Sequence, residues 1–405
     1  MGAPGSGGIC PPGLSRVRRV ATTSVAFAAL TDQGSVHTWG DPDCGGDTKG
    51  AAVLAEVVDI VGNQFAFAAL KSNGSVVSWG LDRFGGDSSN VSSSLQSDVL
   101  RVYANKYGFA AVKKGGVAVT WGMLHLVGDY GVSGQLKSGV EEIVGNDGAF
   151  AALKCDGSVV VWGGASCGGQ PDSVILQTLG KGVLQICTSE RAFAVLKDDG
   201  SVRAWGEKKC GGNVARVQQF LKSGVTELFS TRDSFSALKE DGSVVYWGGD
   251  CLLPSCFNLP DPVQRVYSNL GAFAALVSGG RVVTWGDKES GGDSSVVAQY
   301  LEAIVDVAAS DFAFAALTQH GHVITWGDPR FGAVSNEARE HCSQGVKGVT
   351  GNQSGFAAVT KDGRIVSWGD VSRTTGKTQG CYCSVTEASD VVHVYGGRFA
   401  RTGAW

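Results

Sequence analysis

Tryptophan recurs along this chain at nearly equal intervals. All ten tryptophans of the 405-residue sequence take part, and their successive spacings are 40, 42, 41, 43, 42, 38, 41, 42 and 37 residues. A period of about 41 residues is the signature of a repeat protein, in which each unit buries its apolar faces only against its neighbours. The fold must therefore be built from copies of one small unit.

Two more positions keep register with the first nine tryptophans. A glycine stands five residues before each of them, and a phenylalanine stands twelve residues before each of them. The phenylalanines are Phe27, Phe67, Phe109, Phe150, Phe193, Phe235, Phe273, Phe314 and Phe356. An aliphatic pair three residues apart, such as Val57 and Ile60, recurs further upstream. This agreement within one chain indicates a single structural unit that has been copied.

Each unit has the pattern of β-strands joined by tight turns. In the second unit the segments VVDIVG, AFAALK and GSVVSWG are short, rich in β-branched or aromatic residues, and bounded by polar residues. The dipeptide Asn73-Gly74 joins the last two segments, and such dipeptides tolerate the positive φ angles of a two-residue hairpin. The irregular segment after Trp-Gly predicts one or two helical turns, capped by Asp87 or Ser88, with Val91 and Leu95 at helical spacing.

The unit size predicts the fold class. A three- or four-stranded unit of about 41 residues matches one propeller blade and is too long for a single coil of most β-helices. We interpret the repeated aromatic rings as packing between sheets rather than as a binding groove. The prediction is an all-β, β-propeller-like array of about nine short blades over residues 16–405, with a truncated tenth at 391–405 and a disordered segment at 1–15. A larger ring, an open or split array, and a fragment with a shortened tenth unit all remain open.

The repeat V-x-x-I, F-A-A-L, D-G-S-V-x-x-W-G resembles that of the regulator-of-chromosome-condensation (RCC1) superfamily, which includes the short-bladed β-lactamase-inhibitor-protein-II type. The resemblance extends from about Val17 to the C-terminus and is specific at the strand-turn-strand core. It departs where the family has Gly-Gln-Leu-Gly after Trp-Gly, because this chain has CGGD, FGGD or SGGD, as at Cys44 to Asp47. The resemblance implies a non-enzymatic binding protein, or a nucleotide-exchange or chromatin-associated regulator.

Composition and charge narrow the class of protein. The chain is 43% hydrophobic and contains 60 glycines, a composition too apolar for a disordered protein. Its net charge is −4, whereas a dedicated nucleic-acid-binding protein is expected to carry a basic surface. We interpret Arg16, Arg18 and Arg19 as a solvated edge. No apolar run is long enough to span a membrane, so we expect a cytoplasmic protein, with the nucleus as the alternative. The start MGAPGS matches the myristoylation pattern at Gly2, but a disordered start explains it as well.

The sequence offers no recognisable reactive constellation. His320 and His322 flank a hairpin glycine, which we interpret as a variant turn rather than a metal pair, and the pairs Cys251/Cys256 and Cys381/Cys383 lack the second half of a zinc site. Eleven cysteines without a secretory signal favour free thiols. Cys44, Cys167 and Cys210 share one loop position and are interpreted as apolar filler, with a redox pair of Cys167 and Cys210 as the alternative.

Two glycine-containing segments fail as ligand motifs. The stretch TTGKTQG at 374–380 lacks the leading glycine of a phosphate-binding loop, because that position is Val371. Asp47, Asp87 and Asp293 lie in GGD loops without the calcium-binding period, so we expect them to be turn or cap residues. We therefore predict no enzymatic activity, no catalytic, cofactor-binding or metal-binding residues, and no cofactor.

The remaining hypothesis is a protein-interaction scaffold. Strand positions repeat almost letter for letter, whereas the segments 123–139, 249–264 and 328–345 after Trp-Gly differ freely. Because loops carry recognition on rigid scaffolds, we expect these segments to select protein partners. The alternative is an exchange factor or chromatin-associated regulator of the RCC1 type, whose partner would be a small GTPase. Neither membrane nor nucleic acid is expected as a partner.

Overall fold

The computed structural model describes residues 14, 16–48, 54–128, 131–249, 255–333, 345–370 and 381–387. These residues divide into two compact units, one ending at Leu228 and one beginning at Phe229. Both units are built from the same element, a small antiparallel sheet. The partial tenth repeat predicted at 391–405 and the segment predicted to be disordered at 1–15 lie outside the described residues, apart from residue 14.

Nine sheets, which we call blades 1 to 9, follow one another along the described chain. Blades 1 to 3 contain β1 (Val17–Thr22), β2 (Ala26–Thr31), β3 (Val36–Gly40), β4 (Val57–Gly62), β5 (Ala66–Lys71), β6 (Val76–Gly80), β7 (Val99–Asn105), β8 (Gly108–Lys113) and β9 (Ala118–Gly122). Blades 4 to 6 contain β10 (Val140–Gly145), β11 (Ala149–Lys154), β12 (Val159–Gly163), β13 (Val183–Thr188), β14 (Ala192–Lys197), β15 (Val202–Gly206), β16 (Val225–Ser230), β17 (Ser234–Lys239), β18 (Ser243–Gly248) and β19 (Ser255–Asn258). Blades 7 to 9 contain β20 (Val263–Ser268), β21 (Ala272–Val277), β22 (Arg281–Gly286), β23 (Ile304–Ala309), β24 (Ala313–Thr318), β25 (Val323–Gly327), β26 (Val346–Gly351), β27 (Gly355–Thr360), β28 (Arg364–Asp370) and β29 (Cys381–Glu387).

Strand order within every blade follows the sequence, so each blade is an antiparallel meander. The predicted three-strand unit and its hairpin are confirmed, for example by the pairing of Phe67 with Trp79 across β5 and β6. The glycine after each tryptophan is where the chain leaves the sheet. Gly80 has φ of +108°, and a Cβ there would lie 2.7 Å from the Phe65 carbonyl oxygen, so this position requires glycine.

Two blades have a fourth strand that the repeat pattern does not contain. In blade 6, β19 pairs antiparallel with β18, and in blade 9, β29 pairs antiparallel with β28. The expectation that the whole of 249–264 is a loop is therefore wrong, because residues 255–258 complete a sheet. Among the described residues of the other units neither strand recurs, so the period that revealed the first three strands gave no signal for the fourth.

The repeated aromatic residues form one Phe–Trp ring pair in every blade, and this pair is tilted in blades 4 and 9 and stacked in the others. The two rings sit on directly opposed strand positions, with centroids 5.2 to 5.6 Å apart. From blade 2 onward both rings are buried; Phe67, Phe109 and Phe150 have no exposed surface. The rings of blade 4, for instance, pack on Ala110 and Val112 of blade 3. The interpretation of these rings as core between sheets is confirmed.

Blade 1 differs because the face that carries its stacked pair is partly open. Phe27 and Trp39 are only half-buried. On the same blade Val17 is 41% exposed and Val20 is 44% exposed. The equivalent residues of blade 2, Val57 and Ile60, are 3% and 1% exposed. The opposite face of blade 1 packs on blade 2 through Ala26, Ala28 and Leu30.

Most blades leave their last strand through a short turn with two glycines. In blade 2 this is a 3₁₀ turn at Asp82–Phe84, ended by Gly85 in the left-handed region. The predicted helical segment that follows is a 3₁₀ helix at Ser89–Leu95, in which Leu95 is buried. Asp87 accepts hydrogen bonds from the Ser89 amide and hydroxyl at its start, and Asp293 accepts from the Ser295 amide. Ser88 makes no side-chain capping bond.

Candidate functional site

The segments after Trp-Gly are anchored by hydrogen bonds to the blades. In blade 2 the Asn63 Nδ2 donates to the Phe84 carbonyl oxygen at 2.6 Å, and the Trp121 Nε1 of blade 3 donates to the Gly85 carbonyl oxygen at 3.2 Å. The first of these two successive carbonyl groups thus accepts a hydrogen bond from its own blade, and the second accepts one from the next blade. In blade 4 and blade 5, Asn146 and Trp205 make the same pair of bonds to the turn at 167–168.

Blades 3 and 6 lack the double-glycine turn, and the donors that would bind it have no partner. Asn105 Nδ2 in blade 3, Trp162 Nε1 in blade 4 and Trp285 Nε1 in blade 7 are all buried and have no hydrogen-bond partner among the described residues. Buried donors of this kind are rare because each carries a desolvation cost of about 1–3 kcal/mol. The segments 123–139 and 249–264 therefore lack a structural contact that recurs in other blades.

The segment 123–139 is held at both ends and exposed between them. It begins with a one-turn helix, α1 (Leu124–Val127), and ends with a 3₁₀ turn at Gln135–Lys137. Val127 and Leu136 are 0% and 2% exposed, and both pack in the cluster that contains Phe150 and Trp162. Residues 131, 133–135, 137 and 138 are exposed. This arrangement presents variable side chains from a fixed backbone.

The other two variable segments are described only in part. Residues 255–258 of the segment 249–264 form β19, and Leu259 is 8% exposed. The segment 328–345 opens with a 3₁₀ turn at Pro329–Phe331, where Asp328 caps the turn and its carboxylate also binds the Arg330 guanidinium. Residues 250–254 and 334–344 lie outside the described residues. The segment 123–139 is thus the best described candidate surface among the three.

The side chains with reactive or ligating groups do not converge. Within the described ranges no group of three or more His, Cys, Asp or Glu side chains could hold a metal ion. His320 and His322 are exposed on the β24–β25 hairpin, with ring centroids 6.4 Å apart. The stretches 374–380 and 251–254 fall outside the described residues. Asp47 lies at a bend after the blade 1 turn.

No disulfide bond among the described residues involves Cys44, Cys155, Cys167, Cys187, Cys210 or Cys256. Cys167 packs in the core cluster with Phe193 and Trp205, as expected of filler at that turn position, and Cys210 is likewise buried. Burial raises the pKa of the Cys187 thiol to about 12, with Glu227 and Glu142 adding to the shift. A thiol of such pKa is protonated and unreactive at neutral pH.

Comparison with known proteins identifies the repeat. A family profile described as the regulator of chromosome condensation (RCC1) repeat matches residues 304–333, which comprise all three strands of blade 8 and the turn after them. The other eight blades share the register of this one in their phenylalanine, tryptophan and glycine positions. The repeat unit is of the RCC1 type. The curated proteins contain no match to the whole chain.

Solved structures with similar arrangements are distant in sequence. Prp20p from Saccharomyces cerevisiae is 15% identical, with 57% of this chain and 72% of that chain covered and a TM-score of 0.37. The ectodomain of the Physcomitrella patens receptor kinase CR4 is 15% identical, with coverage of 66% and 73% and a TM-score of 0.34. Human WBSCR16 is 15% identical, with coverage of 87% and 77% and a TM-score of 0.32. The assignment to RCC1 repeats rests on the family match and the internal register.

Along the described part of the chain, no helix is long and apolar enough to cross a membrane. Sequence analysis placed the variable segments after the third strand of their blades, but it missed β19 within the segment 249–264. It did not show which residues of those segments are buried. Val127 could have been recognised from its apolar neighbours in MLHLV, but Leu136 stands alone among polar residues and gave no signal.

Proposed function

We propose that this protein is a non-enzymatic interaction scaffold that binds a protein partner through the variable segments that follow Trp-Gly in blades 3, 6 and 8, chiefly the segment 123–139. The observation that carries the proposal is the contrast within blade 3. Its strands keep the repeat, but its double-glycine turn is replaced by a segment that leaves the Asn105 Nδ2 and the Trp162 Nε1 without an acceptor among the described residues. A replacement that costs stability is typical of a functional site.

The shape of the segment supports binding. Val127 and Leu136 fix its two ends in the core, and this limits the conformational entropy lost when a partner binds. Its exposed stretch includes Ser133, Gln135 and Lys137, side chains that vary from the corresponding residues of other blades. Specificity then depends on exposed residues that can change without any effect on the blades.

The test is affinity capture from a cell lysate followed by mass spectrometry, with the intact chain and two variants. The triple variant S133E/Q135E/K137E changes the exposed stretch and retains both anchors. Its matched control, K209E/A215E/Q218E, introduces the same three glutamates in place of one lysine and two neutral residues on the exposed part of the segment after blade 5. Equal melting temperatures of the three proteins show that the fold is retained.

A partner that is captured by the intact chain and the control but lost from S133E/Q135E/K137E supports the proposal. A partner that all three proteins capture equally contradicts it. If the captured partner is a small GTPase, stimulated nucleotide release by the purified chain favours the exchange-factor alternative.

A further inference from the structure

The first strand of each blade contains a bulge, and its extra residue points to solvent. In blade 1 the pairing register shifts between Val17 and Arg19, and in blades 2 and 3 it shifts at the equivalent positions. The bulge residues are Arg18, Val58 and Leu100. Val58 is 41% and Leu100 is 58% exposed, which is unusual for aliphatic residues on strands. The first strands of successive blades lie side by side, so these exposed residues are neighbours.

Blades 1 to 3 form a groove at this position. Its volume is about 510 Å³, within the range of known ligand-binding clefts, and all its lining residues belong to one compact unit. Leu30 and Leu70, which are 1% and 7% exposed, form the apolar part of its floor. The remaining lining residues are Arg18, Arg19, Val58, Asp59, Leu100 and Arg101.

The groove carries net positive charge. Arg19 forms an ion pair with Asp59 across β1 and β4. Arg18 and Arg101 are exposed and form no ion pair among the described residues. In blade 4 the positions equivalent to Leu100 and Arg101 are occupied by Glu141 and Glu142, so the positive charge does not continue beyond blade 3. The groove therefore has more arginines than carboxylates, although the chain as a whole has a net charge of −4. Such a local positive charge attracts an anionic partner.

We propose that this groove binds an acidic peptide segment that also carries an aliphatic side chain. The guanidinium groups of Arg18 and Arg101, which form no ion pair among the described residues, would bind carboxylates, for which the planar fork of arginine is well suited. The exposed side chains of Val58 and Leu100 would pack against the aliphatic side chain. Nucleic acid fits less well, because the lining contains no aromatic ring on which a base could stack.

This surface is separate in sequence from the variable segments of the proposed function. It is built from strand residues of the repeat rather than from the segments after Trp-Gly. The two proposals can therefore fail independently, since the variants that test the groove leave the segment 123–139 unchanged.

The test uses fluorescence anisotropy with a fluorescein-labelled peptide of repeated Glu-Leu-Asp units at low salt. The variant R18E/R101E reverses the two unpaired charges, and R18Q/R101Q only removes them. The control R216E/K222E reverses two charges in an exposed polar hollow elsewhere in the same unit. A fourth variant, L100N, removes the apolar contact and leaves every charge in place.

We expect R18E/R101E to weaken peptide binding by about tenfold or more, because each exposed charge contact contributes up to about 1 kcal/mol and reversal turns attraction into repulsion. R18Q/R101Q and L100N should each weaken it less, and R216E/K222E should leave it unchanged. Absence of peptide binding by the intact chain overturns the proposal, as does an equal loss in R216E/K222E. Tighter binding of a single-stranded oligonucleotide that displaces the peptide also overturns it.

Discussion

At the residue scale, the repeated tryptophan has two roles. Its ring stacks on the phenylalanine of the preceding strand, and its indole N–H reaches the turn of the blade before it. Trp205 Nε1 donates to the Gly168 carbonyl oxygen at 2.9 Å, whereas Trp162 Nε1 is buried without a partner. Trp205 and Trp162 are 4% and 2% exposed, so the two residues differ mainly in this hydrogen bond.

This pair allows a matched prediction. Both W205F and W162F remove similar apolar volume, but only W205F breaks a hydrogen bond and leaves the Gly168 carbonyl group unpaired. We expect W205F to lower the free energy of unfolding by about 1–2 kcal/mol more than W162F does. Urea denaturation of the two variants measures the difference. Equal losses would show that the indole N–H does not contribute to the junction between blades.

At the element scale, the hairpin turn between the second and third strands depends on an Asx interaction. The carboxylates of Asp156 and Asp241 each accept hydrogen bonds from the amide and hydroxyl of the serine two residues later, at 2.6 to 2.9 Å. The hydroxyl bond in particular lowers the pKa of both carboxyl groups below the ordinary value of 3.8. In blade 2 the uncharged Asn73 accepts the same two bonds from Ser75.

The lowered pKa values predict an acid-dependent contribution to stability. A carboxylate with a lowered folded-state pKa stabilises the fold above the unfolded value of 3.8, and this contribution is lost as the pH falls through the folded-state pKa. D156N/D241N keeps the acceptor oxygen but cannot titrate. Its melting temperature should therefore fall less than that of the unchanged chain between about pH 5 and pH 3. Parallel curves for the two proteins would contradict the prediction.

The sequence predicts the elements that recur and misses those that do not. Nine-fold agreement at Phe, Gly and Trp located the strands, the hairpins and the packing between blades, because each copy confirmed the others. The segments that form the fourth strands β19 and β29 are not copied elsewhere in the chain. Their structure depends on pairing with β18 and β28, which the repeat pattern does not predict. The basic groove was also missed: Arg18 was interpreted as a solvated edge, and its proximity to Leu100 and Arg101 depends on how neighbouring blades align.

At the scale of the whole molecule, the core residues that stabilise the blades are distinct from the exposed residues that we propose bind a partner. The blades obtain their stability from stacked Phe–Trp pairs and from alanine-rich second strands that are almost completely buried. The segment 123–139 is anchored by the buried residues Val127 and Leu136 and exposes residues 131, 133–135, 137 and 138. Such a division lets one scaffold accept changes in its exposed segments without loss of the fold.

Amide hydrogen exchange of the intact chain, followed by mass spectrometry, tests this account most directly. Each second strand is hydrogen-bonded on both sides, so its amides should exchange more slowly than those of the segments after Trp-Gly. The account predicts nine protected stretches, centred on β2, β5, β8, β11, β14, β17, β21, β24 and β27 and spaced by about 41 residues, with rapid exchange at residues 131–135. Protection that does not follow this period, or that is as strong at 131–135 as in the second strands, would contradict it.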